Sequence, residues 1–97
     1  MGLDPRLPAS RIDLGKLYLQ ESRIDEALLQ LERARALNPK EKAAYSQLAI
    51  AYRKKGQQDR AREMLANLAR LNDEEMREYH RERLHAIRQP LAGEPAQ

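Results

Sequence analysis

Two histidines, a cluster of carboxylates and three serines are the residues of this chain whose types could do chemistry. His80 and His85 are five residues apart, whereas two metal ligands on one helix face need a spacing of four. Glu82-x-x-His85 is one half of a carboxylate-bridged di-metal signature, which requires a second such pair and two further glutamates from other helices. The better reading of both histidines is exposed helix positions. Asp73-Glu74-Glu75 could act as paired acids, but three acids behind Asn72 also suit a capped first turn of a helix. Ser10, Ser22 and Ser46 sit in no G-x-S-x-G turn, and no Gly-rich phosphate loop is present. The absence of Cys removes disulfides, thiolate metal sites and thiol nucleophiles. No catalytic centre, cofactor or metal is expected, so the chain reads as a non-enzyme.

The elements that would position these residues are helical. Ala, Glu, Lys, Leu and Arg dominate, while Val and Thr are missing altogether, so a sheet has little to be built from. Both charge signs are interleaved along the chain, with a formal net charge of +3. That is the pattern of solvated helix faces rather than a nucleic-acid footprint. The basic stretch Arg53, Lys54, Lys55, Arg60 and Arg62 lacks the free aromatic side chains that stack on bases, so nucleic acid is not the expected partner. No stretch is long and apolar enough to cross a membrane, and no secretory or lipidation pattern follows Met1. With no targeting signal, the cytoplasm is the default expectation.

Sliding the chain by 34 residues aligns Leu3 with Leu37, Pro5 with Pro39, Ala9 with Ala43, Leu14 with Leu48, and Tyr18 with Tyr52. It also aligns Asp25 with Asp59, Ala27 with Ala61, Leu31 with Leu65, Leu37 with Leu71, and Asn38 with Asn72. Each period reads as two helices: roughly 9–21 and 24–37, then 41–55 and 58–71. Ser22 and Gly56 mark equivalent breaks, and Asn38-Pro39 ends the second helix because the residue before Pro is pushed out of the helical region. Asn72 or Asp73 is expected to cap a fifth helix that Pro90 stops.

A 34-residue helix–turn–helix of this kind resembles the tetratricopeptide repeat. The first repeat carries Leu14-Gly15-x2-Tyr18, Ala27-x3-Leu31, Ala34 and Pro39; the second carries Tyr45-x2-Leu48-Ala49-x2-Tyr52 and Ala61-x3-Leu65. Arg11 replaces the opening aromatic, and Asp73 replaces the second Pro. The resemblance implies an all-α, right-handed superhelix of two repeats plus a solvating helix. The divisions are 1–7 as the remnant of a preceding repeat or linker, 8–41 and 42–73 as the repeats, 74–89 as a capping helix and 90–97 as a tail. It further implies a protein-interaction module that takes a peptide or partner helix in a groove.

At about 100° per residue, Leu14, Leu17 and Tyr18 share one side of the first helix, and Leu48, Ala51 and Tyr52 one side of the third. These are the expected core, with Ala27, Leu31, Ala61 and Leu65. Met76, Tyr79, Leu84 and Ile87 form the apolar stripe of the fifth helix. Ile12, Lys16, Leu19, Ser46, Ile50, Arg53, Lys54 and His80 are expected to line a mixed apolar and basic groove suited to an acidic peptide. Lys16, Ile12 and Gln47 stand where the chaperone-tail carboxylate clamp of this family needs Asn, Lys and Asn, so that specificity is not expected. Leu3-Asp4-Pro5 repeats Leu37-Asn38-Pro39, which suggests an array continuing upstream or an open N-terminal face that self-associates. For the second case the expected face is Ile12, Gly15 and Leu19, giving a weak homodimer.

Overall fold

The computed structural model describes Asp4 and residues 6–88, with side chains as far as Leu84. Four α-helices and no strand occur among the described residues: α1 (Pro8–Gln20), α2 (Ile24–Leu37), α3 (Lys42–Lys54) and α4 (Gln58–Arg88). The helices α1 and α2 form one hairpin and α3 and α4 the next, with α2 packed on α3 and α1 also touching α3.

Helix α1 opens on Pro8, whose fixed φ is already helical and whose missing N–H costs nothing in the first turn. It closes through Ser22 in the left-handed region (φ 62°), where Ser22 N–H donates to Leu19 O at 3.1 Å and Arg23 N–H to Tyr18 O at 2.8 Å. One period later Gly56 (φ 85°) closes α3 identically: its N–H donates to Arg53 O at 3.0 Å and Gln57 N–H to Tyr52 O at 2.9 Å. The two repeats therefore share a backbone motif at positions where the sequence offers a serine and a glycine. A non-glycine residue in that region is disfavoured by about 1–2 kcal/mol, part of which glycine loses to its freer unfolded chain. Ser22→Gly is expected to raise stability by about 0.5 kcal/mol in denaturant melts. Gly56→Ala is expected to lower it although no atom lies within 4 Å of the added Cβ.

Helix α2 ends at Leu37, where Asn38 Oδ1 accepts from Lys40 N–H at 3.1 Å and the Tyr45 hydroxyl donates to Pro39 O at 2.7 Å. The same register one period on is Leu71-Asn72-Asp73, and here the helix does not end. The expected fourth and fifth helices are a single 31-residue helix, α4, about 46 Å long at 1.5 Å per residue. Asp73 is the reason: unlike Pro39 it keeps its N–H and carries no ring to clash with the preceding turn. The expected separate capping helix over 74–89 is thus the uninterrupted continuation of α4 as far as the described residues reach.

The core comprises Ile12, Leu19, Ala27, Leu31, Ala34, Ala44, Tyr45, Leu48, Ala49, Ala51, Tyr52, Ala61 and Met64. Ala27, Leu31, Leu48, Ala51, Tyr52 and Ala61 are buried as the repeat pattern predicts. Four expected core residues are not, and one of them, Tyr18, is half-buried against the core. Leu17 is 51% exposed and Leu65 42%, while Leu14 is half-buried. Their equivalents Ala51, Leu31 and Leu48 are each 0% exposed. The chemistry at each pair of positions is alike; the difference is coverage. The helices α2 and α3 each have a neighbour on both sides, whereas α1 and α4 are the outer helices of the described stack.

Helix α1 is apolar around most of its circumference, so angular arithmetic does not choose its buried side. Gly15 does. A Cβ there would lie 2.6 Å from Leu31 Cγ, so α2 approaches closest along the Gly15 line and buries Ser10, Ile12, Gly15 and Leu19. Polar links hold the layers in register. The Tyr52 hydroxyl donates to Glu32, which also pairs with Arg35, and Lys55 pairs with Asp25. Burial, and then the hydrogen bond to Glu32, push the Tyr52 phenol above its ordinary value, so it stays protonated and donating at neutral pH.

Candidate functional site

One groove collects side chains from two helices of different repeats. Lys16, Leu19 and Gln20 of α1 and Gln47, Ile50 and Lys54 of α3 line an open depression of about 390 Å³. Helical spacing explains the set: 16, 19 and 20 lie on one face of α1, and 47, 50 and 54 on the matching face of α3. Leu19 and Ile50 form the apolar floor, Leu19 at 9% exposed and Ile50 at 38%. Lys16 and Lys54 are exposed at its edges, and Gln20 and Gln47 add amides that can both donate and accept.

The charge at the groove is uncompensated. Elsewhere on the surface, Arg23 pairs with Glu21 and Glu26, Arg35 with Glu32, Lys42 with Glu75, Lys55 with Asp25 and Arg62 with Asp59. Arg60 lies over the Tyr52 ring, 5.8 Å from its centroid. Among the described residues no carboxylate forms an ion pair with Lys16, Arg53 or Lys54.

Of the residues expected to line this groove, Lys16, Leu19, Ile50 and Lys54 come together. Ile12 does not: it is 4% exposed and belongs to the core between the helices. Arg53 is exposed and Ser46 half-buried on α3, but neither lines the depression. His80 was expected there with them. It instead sits exposed on the continuous α4, with its ring edge-on to Tyr79 at 5.8 Å. The expected self-association face of Ile12, Gly15 and Leu19 is corrected as well, because all three are buried against α2 and α3. The large apolar side chain that α1 leaves exposed is Leu17. Gln20 was missed as a lining residue and Gln47 was weighed only against the carboxylate-clamp pattern; their signal was present, four residues after Lys16 and three before Ile50, on the same two faces.

No group of three or more His, Cys, Asp or Glu that could hold a metal occurs among the described residues, and the side chain of His85 lies outside them. No described helix is long and apolar enough to cross a membrane.

A helix–turn–helix stacked twice at a 34-residue offset, with Ala27, Leu31, Leu48 and Tyr52 buried at the signature positions, agrees with comparison against known families. The family model for the tetratricopeptide repeat matches residues 18–86. The chain belongs to the tetratricopeptide repeat family. The match begins at Tyr18 near the end of α1 and runs through the continuous α4, so it spans both the covered interface between α2 and α3 and the exposed arm. Tetratricopeptide repeat domains are generally protein–protein interaction modules and typically non-catalytic. Among curated proteins no match was found.

Proposed function

We propose that this tetratricopeptide repeat chain binds an extended peptide or partner helix carrying acidic side chains in the groove between α1 and α3. The observation that carries the reading is the pair of unpartnered lysines, Lys16 and Lys54, flanking an apolar floor of Leu19 and Ile50. An aliphatic side chain of the ligand would cover Ile50, and acids on either side would meet the lysines. Gln20 and Gln47 would bond the ligand backbone. Apolar burial supplies affinity, and the exposed bases supply orientation and a salt-sensitive on-rate. Arg53, exposed beside the groove, adds to the same field.

The test is binding of a randomised peptide library to the full chain, with the selected peptides titrated and mapped by NMR. Selection of acidic sequences, with shifts centred on Lys16, Gln47, Ile50 and Lys54, is the expected result. The double change Lys16→Glu, Lys54→Glu is expected to weaken those peptides by about tenfold or more at low salt. Thermal stability should barely move, since both side chains are exposed. Unchanged affinity in the double variant, or binding of single-stranded RNA in place of any peptide, would overturn the proposal.

A further inference from the structure

The interface between repeats is made once inside the chain, and each of its two halves recurs uncovered. Inside, α3 covers α2. Leu31 and Leu48 are 0% exposed, the Tyr45 hydroxyl donates to Pro39 O at 2.7 Å, the Tyr52 hydroxyl donates to Glu32, and Lys55 pairs with Asp25. At an offset of 34 the α2 half recurs on α4 and the α3 half on α1. Leu65, Ala66 and Asp73 are the counterparts of Leu31, Glu32 and Pro39. Leu14, Leu17 and Tyr18 are those of Leu48, Ala51 and Tyr52. Yet Leu65 and Leu17 are exposed, and Leu14 and Tyr18 are half-buried. Repeat stacks need polar outer faces at their ends to stay soluble, and these leucines stand where such faces would be.

We propose that α1 of a second copy covers α4 as α3 covers α2, so that copies stack head to tail at the spacing of the repeats. A second copy is the occupant because one chain carries both halves of this interface, in the register that its own α2 and α3 already adopt. Bulk is exchanged across the junction. Ala66 and Ala69 replace Glu32 and Arg35 on the α4 side, and Leu17 replaces Ala51 on the α1 side. Tyr18 of the next copy then meets Ala66 in place of a carboxylate. The charges follow from the same register. Tyr45, Pro39 and Ala36 line one depression, and their counterparts set Arg11 of the next copy beside Asp73 and Arg70. Leu19 and Gln47 line another, and theirs set Arg53 beside Asp13 of the next copy. Lys16 of the next copy stands beside Lys54, as the two lysines already do within one chain. Lys55 and Asp25 become Glu21 and Asp59, a like pair, but Asp59 already pairs with Arg62 at 3.6 Å. The α1 side thus brings two charges of each sign, Arg11 and Lys16 against Asp13 and Glu21, and apolar burial drives the contact while Asp13 with Arg53 fixes its register.

Sedimentation of the full chain tests the stack. A head-to-tail contact leaves one half free at each end, so it grows into short open chains instead of closing at two. The expected result is a monomer at about 10 µM and a weight-average mass above two chains at about 1 mM, since a single helix layer falls in the weak class of interfaces. Leu17→Glu spoils one half and Leu65→Glu the other, and each variant alone is expected to stay monomeric throughout. Both sites are exposed, so melts at about 10 µM should match the unmodified chain. An equal mixture of the two variants is expected to form a dimer that grows no further, because each supplies the half that the other lacks. Asp13→Arg and Arg53→Asp are each expected to weaken the stack, and the two changes in one chain to restore it. A monomer at about 1 mM, growth of the unmodified chain that stops at two, a variant mixture that stays monomeric, or failure of the charge exchange to restore the stack would each overturn the proposal.

Discussion

Leu31→Ala is expected to destabilise the chain by about 2–5 kcal/mol, while Leu65→Ala, at the same position of the next repeat, costs less than about 1 kcal/mol. Both changes remove the same atoms from a Leu in an Ala-x3-Leu motif, so composition and helix propensity cancel in the comparison. What differs is that Leu31 is 0% exposed between α1, α2 and α3, whereas Leu65 is 42% exposed on the outer side of α4. Truncating Leu31 opens a cavity that the helices around it cannot collapse into; truncating Leu65 leaves a notch that water fills. In a domain whose total stability lies at about 5–15 kcal/mol, the first change removes a large share. Leu48→Ala, also 0% exposed, should behave like Leu31→Ala. Urea melts of the three variants check this, and equal losses at Leu31 and Leu65 would show that the outer face of α4 is covered in solution.

Gly15→Ala is expected to destabilise by about 1–3 kcal/mol, the opposite of what the same change does in an exposed helix. The added Cβ would stand 2.6 Å from Leu31 Cγ and 2.7 Å from its Cδ2. Leu31 has little room to retreat because it is fully buried. The sign should reverse once Leu31 is truncated. In a Leu31→Ala background the obstruction is gone, and Gly15→Ala should then stabilise by roughly 0.5–1 kcal/mol, the ordinary helical advantage of Ala over Gly. A double-mutant cycle measures the coupling directly. If Gly15→Ala costs the same in both backgrounds, the close approach of α1 and α2 along this line is not what holds Gly at position 15.

Local chemistry alone determined the helical composition, the 34-residue period, the paired breaks at Ser22 and Gly56 and the stop at Asn38-Pro39. Each depends on residues within a turn or two of one another, or on an exact repetition of side-chain types, and such relations are visible along a chain. Four of the groove residues, Lys16, Leu19, Ile50 and Lys54, were legible for the same reason: they share helix faces at spacings of three and four. Tertiary structure decided the rest. Periodicity states which residues share a face, but not whether another element stands against it. That is why Ile12 turned out to be interior and Leu17 exposed, and why Leu31 and Leu65 differ although their motifs agree. Asn72-Asp73 presented a credible helix start, yet a capping residue only favours a break. Proline enforces one, and Asp73 lets the hydrogen-bond ladder run on. The consequence is one continuous α4 that leaves Met76, Tyr79 and Leu84 exposed, whereas the sequence pointed to α1 for the open apolar surface.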